Sequence, residues 1–97
     1  MNVGVCRIQI RLPENGTLKG KRQVVQSLAS HLRSRFNISV AEVEDNEHHQ
    51  LLTLGVSCVS NDSRHANQVL SQVVAYVERT RRDVELLDYS LEIIRGA

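Results

Sequence analysis

Ninety-seven residues set the scale at one domain, and residues 1–97 are read as a single one. With 41% hydrophobic and 24% charged residues, the chain can build one core without metal or disulfide staples. A net charge of +1 excludes a global pull toward nucleic acid or membrane, so any such attraction has to come from local clustering.

Residues 2–12 alternate, with Cys6, Ile8, Ile10 and Leu12 on one face and Arg7, Gln9 and Arg11 on the other. Period two predicts a half-buried strand, ended by Pro13 and an Asn15-Gly16 turn. From Leu18 the period lengthens. Val25, Leu28, Ala29, Leu32 and Phe36 form the stripe of an amphipathic helix, with Thr17 as N-cap and Asn37 as a left-handed C-cap. Residues 38–44 read as a second strand. Its inward face is assigned to Ala41 and Val43, because the other register, Ile38 and Val40, buries Glu42.

Asp45 to His49 form a polar hairpin loop. In the third strand, residues 50–60, Leu52, Leu54, Val56 and Cys58 face in while Thr53, Gly55 and Ser57 face out. Asn61-Asp62-Ser63 starts a second helix whose stripe is Ala66, Val69, Leu70, Val73, Val74 and Val77. Residues 85–94 alternate again, with Leu87, Tyr89, Leu91 and Ile93 inward. The order βαββαβ predicts a ferredoxin-like α+β sandwich: a four-stranded antiparallel sheet, strand order 4-1-3-2, with both helices on one face. The other face is left open to water or a partner.

Several absences narrow the function. No run approaches the ~20 apolar residues of a membrane span, and residues 1–11 lack the apolar stretch of a signal peptide, so a cytoplasmic protein is expected. No P-loop, GxGxxG or GxSxG occurs, and no cofactor or metal is expected. Cys6 and Cys58 show no CxxC spacing. Taken as lying on parallel neighbouring strands, about four residues or ~13 Å apart, they are expected to be buried, reduced and unbridged. The adjacent His48 and His49 diverge in an extended loop rather than converge on a metal. Glu42, Glu44, Asp45 and Glu47 read as edge and loop protection.

The feature with the clearest functional content is the first helix. From Thr17 to Phe36 there are five Lys or Arg and no acid. Lys19, Arg22, Gln26 and Arg33 fall on one side at 100° per residue. Cations at a helix start oppose the dipole, and a local rule broken at an exposed place points to function. Lys19, Lys21, Arg22 and Arg33 are therefore the candidate anion- or RNA-binding residues, set against the alternative of a solubilising helix face. The two central strands carry no aromatic, so an RNA contact here is electrostatic rather than by stacking.

Met1-Asn2-Val3-Gly4, Leu12-Pro13, Leu18-Lys19-Gly20-Lys21-Arg22, Phe36 to Val43, Leu54-Gly55 and Val59-Ser60-Asn61-Asp62 together resemble the YlxP-like family of small bacterial proteins of unknown function. The specific motifs cover about the first two-thirds of the chain. The family usually reads Ser-Leu-Lys-Glu-Lys-Arg, where this chain has Thr17 and Gly20 at the first and fourth places. Gly20 removes an acid and weakens the first helical turn. The resemblance implies a ferredoxin-like fold and a gene often placed among translation genes, hence a ribosome-associated or RNA-related role. It supplies no catalytic residues.

The leading expectation is a non-enzymatic binding module whose partner is ribosomal RNA or a ribosome-associated protein. Two rivals share the topology. One is a phosphoryl-handling enzyme similar to acylphosphatase, with Arg22 on phosphate and only Asn46 available to orient water. The other is a small-molecule regulatory domain using the Asn15-Gly16 turn. A homodimer through the open sheet face is also expected, from the outward aliphatics Val3, Val5, Leu51, Val59, Leu86 and Ile94. Arg7 is expected to pair with Asp88 and Glu92 on the diagonals.

Overall fold

Four strands and two helices follow one another as β1 (Asn2–Arg11), α1 (Leu18–Arg35), β2 (Ser39–Glu44), β3 (Leu51–Ser60), α2 (Ser63–Thr80) and β4 (Glu85–Arg95) in a computed structural model that covers residues 1–97. The sheet order is β2-β3-β1-β4, and every neighbouring pair is antiparallel. This is the ferredoxin-like α+β fold. No helix is long and apolar enough to cross a membrane.

The core follows the two hydrophobic periods. Cys6, Ile8, Ile10 and Leu12 of β1 and Leu52, Leu54, Val56 and Cys58 of β3 meet Leu28, Ala29 and Leu32 of α1 and the Ala66–Val77 stripe of α2, all buried. Thr17 caps α1 by accepting the Gly20 N–H at 2.9 Å, and Asp62 caps α2 by accepting that of Arg64 at 2.9 Å. At Gly4, an inward position of β1, an added Cβ would lie 2.7 Å from Leu70 Cδ1. A missing side chain there lets α2 settle onto the sheet.

Five local expectations change. The C-cap of α1 is Phe36 in an extended conformation, not a left-handed Asn37. The Phe36 ring packs edge-on against Tyr76, centroids 6.0 Å apart, and this fixes an extended exit from the helix.

In β2 the register is the opposite of the one assigned. Val40, opposite Val56, is buried, and Glu42, opposite Leu54, follows it inward, while Ala41 and Val43 are exposed. The buried carboxylate is tolerated because a lysine meets it, as described below. The register then shifts between Glu42 and Glu44. Val43 is the extra residue of this bulge, and Glu44 returns to the outer face beside Thr53.

A second shift falls opposite Gln9 and Ile10, which pair with Asp88 and Leu86. The skipped residue, Leu87, is half exposed rather than inward, and Leu86 packs toward the core instead of standing on the open face.

The two cysteines lie on antiparallel, not parallel, strands. Gly4 faces Cys58 and Cys6 faces Val56, so the thiols are diagonal neighbours offset by two residues. Both are buried and free. Burial pushes the Cys6 thiol up to about 11 and raises that of Cys58. Thr53 points outward as expected yet is fully buried, because its hydroxyl donates to the Asp45 carboxylate at 2.7 Å, under the hairpin.

Candidate functional site

Helix α1 spreads its cations over two ends. Lys19 and Arg22 are exposed in the first turns, and Arg33 and Arg35 in the last. No acid lies in the first turn to neutralise the former pair. Arg22, Gln26 and Arg33 line a groove of about 410 Å³ between α1 and β2, with Glu42 at its floor. Arg33 also donates to the Val40 carbonyl at 2.7 Å, which closes the free edge of β2. Arg35 lies over the Tyr76 ring, 5.0 Å from its centroid. Lys19 and Arg22 are thus the cations on α1 with no assigned intramolecular partner, and the groove extends from Arg22 toward Arg33.

Lys21 does not belong with them. Its side chain is 1% exposed and runs inward, not out to solvent. The ammonium donates to the carbonyls of Asp45 and His48, the latter at 2.7 Å, and sits 2.8 Å from Glu42 Oε2. The carboxylate contact is ionic rather than directional, since Oε2 accepts no aligned hydrogen bond. An ammonium has three protons to place, and here three oxygens surround it. The physical reason for the inward turn is this match: β2 brings Glu42 under α1, and the hairpin curls two carbonyls onto the same point. Asp45 reaches its place with a left-handed φ of 63°, which aspartate tolerates better than most residues. Asn15 adds a second stitch by donating to the His49 carbonyl and to that of Thr17.

Glu42 is the ion-pair partner of Lys21 that sequence reasoning missed. The available signal was the strand itself: Val40 and Glu42 share a face, and a lysine five residues or fewer into the preceding helix can reach that face. Neither fact is decisive without the helix–strand spacing.

The outer face of the sheet is the other concave surface. A hollow of about 770 Å³ lies across its centre, bordered by Val5, Arg7, Ala41, Val43, Gly55 and Glu92 among others. Arg7 forms an ion pair with Glu44 of β2 rather than with Asp88 or Glu92 of β4. The bulge at Val43 is the cause, because it turns Glu44 onto this face. Val3 opposite Ile94 and Arg7 opposite Ser90 pair as anticipated.

His48 and His49 do not diverge as expected but stack in the exposed hairpin, ring centroids 5.8 Å apart, and no group of three or more His, Cys, Asp or Glu side chains converges in the manner of a metal site. Arg22 borders the α1–β2 groove, and Asn15 of the β1–α1 loop donates to the two carbonyls named above.

A family model described as Protein of unknown function (DUF503) matches residues 3–91. A relative from Bacillus subtilis (strain 168), described as "Uncharacterized protein YlxP", is 24% identical over 76 residues, which span 78% of this chain and 83% of the relative.

Proposed function

The chain belongs to the family described as Protein of unknown function (DUF503), and we propose that it is a non-enzymatic binding module that holds an RNA backbone on the exposed basic side of α1. One observation carries this reading. The helices α1 and α2 hold seven of the twelve Lys and Arg residues and one of the eleven Asp and Glu, a net +6, while strands and loops carry a net −5. One of those cations, Lys21, is buried against Glu42, and the remaining helix charges still give a nearly neutral chain a cationic helix layer. Such a field attracts phosphates from solution without any sequence readout.

Lys19 and Arg22 would supply the primary contacts, with the groove toward Arg33 extending them. The central strands offer no aromatic for base stacking, so affinity is phosphate-borne and indifferent to base sequence. Ribosomal RNA is the partner proposed first.

The test is retention of single-stranded RNA and of ribosomal subunits from native extract. Reversing Lys19 and Arg22 to Glu is expected to lower RNA affinity by roughly tenfold or more, with melting temperature close to wild type, as exposed sites tolerate substitution. Unchanged retention would remove α1 as the contact surface, and turnover of an acyl phosphate would replace a binding role with an enzymatic one.

A further inference from the structure

The outer sheet face carries chemistry that the basic helix does not use. Its centre is hollow, about 770 Å³, with Gly55, Ala41 and Val43 in its lining. A smaller hollow of about 170 Å³ adjoins it, sharing Arg7 and Ser90 and bordered by Asp88. One end is aliphatic. Val59, Val3 and Ile94 stand side by side across β3, β1 and β4, and Val59 and Ile94 are 65% and 44% exposed.

The charges on this face do not cancel. Arg7 is taken by Glu44 and Arg11 by Glu85, its Nε lying 3.7 Å from Oε2. Glu92 beside the large hollow and Asp88 beside the small one have no ion-pair partner. Asp88 accepts only the backbone N–H of Tyr89, at 2.8 Å.

We infer that this face docks a cationic amphipathic helix of a partner protein. The helix lies along the strands, its apolar stripe on the central hollow and the Val59–Val3–Ile94 row. Two of its basic side chains reach Asp88 and Glu92. The spacing fits. Four residues along β4 span about 13 Å, and positions i and i+7 of a helix lie on one side about 10.5 Å apart, within reach of lysine side chains. The opposite sheet face is already covered by two helices packed on aliphatic rows, so a third helix repeats a contact that this sheet makes. Charge selects this occupant over a second copy of the chain: two copies face to face would gather four unpaired carboxylates in one interface, whereas a cationic helix neutralises both.

The surface is separate from the RNA-binding face proposed above, and the two fail independently. The probe is a helical peptide of about eighteen residues, five turns, built of Leu and Lys on opposite sides, beside the same peptide with Glu for Lys. Amide shifts of the isotopically labelled chain report where each binds. The Leu/Lys peptide is expected to shift residues of β1, β3 and β4 around Val5, Arg7 and Glu92, with affinity falling as salt rises. Asp88→Asn with Glu92→Gln is expected to weaken it roughly tenfold, and the Leu/Glu peptide to leave the spectrum unchanged. Reversal of Lys19 and Arg22 is expected to leave peptide binding intact. Equal binding of both peptides, shifts confined to the helices, or indifference to the double variant would each overturn the inference. So would sedimentation as a dimer that Val59→Asp dissociates, which would give the face to a second copy.

Discussion

Taking away the Lys21 ammonium leaves the Glu42 carboxylate inside with no counter-charge and strips two hairpin carbonyls of a donor. Breaking a buried pair from one side costs about 3–5 kcal/mol. Glu42 keeps 15% side-chain exposure, so Lys21→Met is expected near the lower end, about 3 kcal/mol by urea unfolding. The double variant Lys21→Met, Glu42→Met should recover the carboxylate's share but not the hairpin's. A single variant as stable as wild type would show the pair to be dispensable. The same pair explains why two readings of the sequence fail together. Lys21 looks like one more cation on a basic helix, and Glu42 looks too costly to bury. Each is resolved only by the other, and their meeting depends on a helix–strand distance that no local pattern encodes. Cys6 makes the contrast, because strand alternation alone places it inside. With its thiol pushed up to about 11, it is expected to resist thiol reagents near neutral pH in the native state and to react, with Cys58, on unfolding. Rapid native labelling would contradict the burial.

Element boundaries and facing follow from hydrophobic period wherever a strand or helix is regular. β1, β3 and the stripes of both helices come out as the periods dictate, and departures concentrate where a strand gains a residue. In β2 the extra residue is Val43, and Gly55 is its complement: a Cβ on Gly55 would lie 2.7 Å from Val43 Cγ1. Gly55→Ala is therefore expected to cost about 1–3 kcal/mol through overpacking. Val43→Ala in the same chain is expected to return most of that loss, since the clash is with a valine methyl. A double-mutant cycle measures the coupling, and additive effects would place the strain elsewhere. In β4 the bulge puts Leu86 inward and exposes Leu87, although the sequence alternates smoothly through both. Alternation is blind to such an insertion, because either leucine satisfies it. The consequence reaches the candidate surface. The β2 bulge brings Glu44 to Arg7 and so leaves Asp88 and Glu92 of β4 uncompensated.

At the scale of the whole molecule, charge is sorted by layer, and this is legible in the sequence only after the elements are known. The +1 total hides helices of net +6 and a remainder of net −5. The basic side of α1 survives from sequence to structure at Lys19, Arg22 and Arg33, loses Lys21 to the interior, and has Arg33 tied to the edge of β2. Two free cations make a weak site, and weak electrostatic sites declare themselves through salt. For a single strand, the logarithm of affinity falls with the logarithm of salt with a slope of about −0.7 per phosphate neutralised. Lys19→Gln with Arg22→Gln removes two such contacts, so the slope is expected to flatten by about 1.4. Lys21→Gln removes none, and is expected to leave the slope unchanged while lowering stability, because its charge never faces the solvent. Measuring the three slopes on one homopolymeric RNA therefore separates a cation that binds from a cation that builds. A slope change at Lys21 equal to that of its exposed neighbours would mean that the hairpin opens in the RNA-bound state, and would return Lys21 to the binding surface.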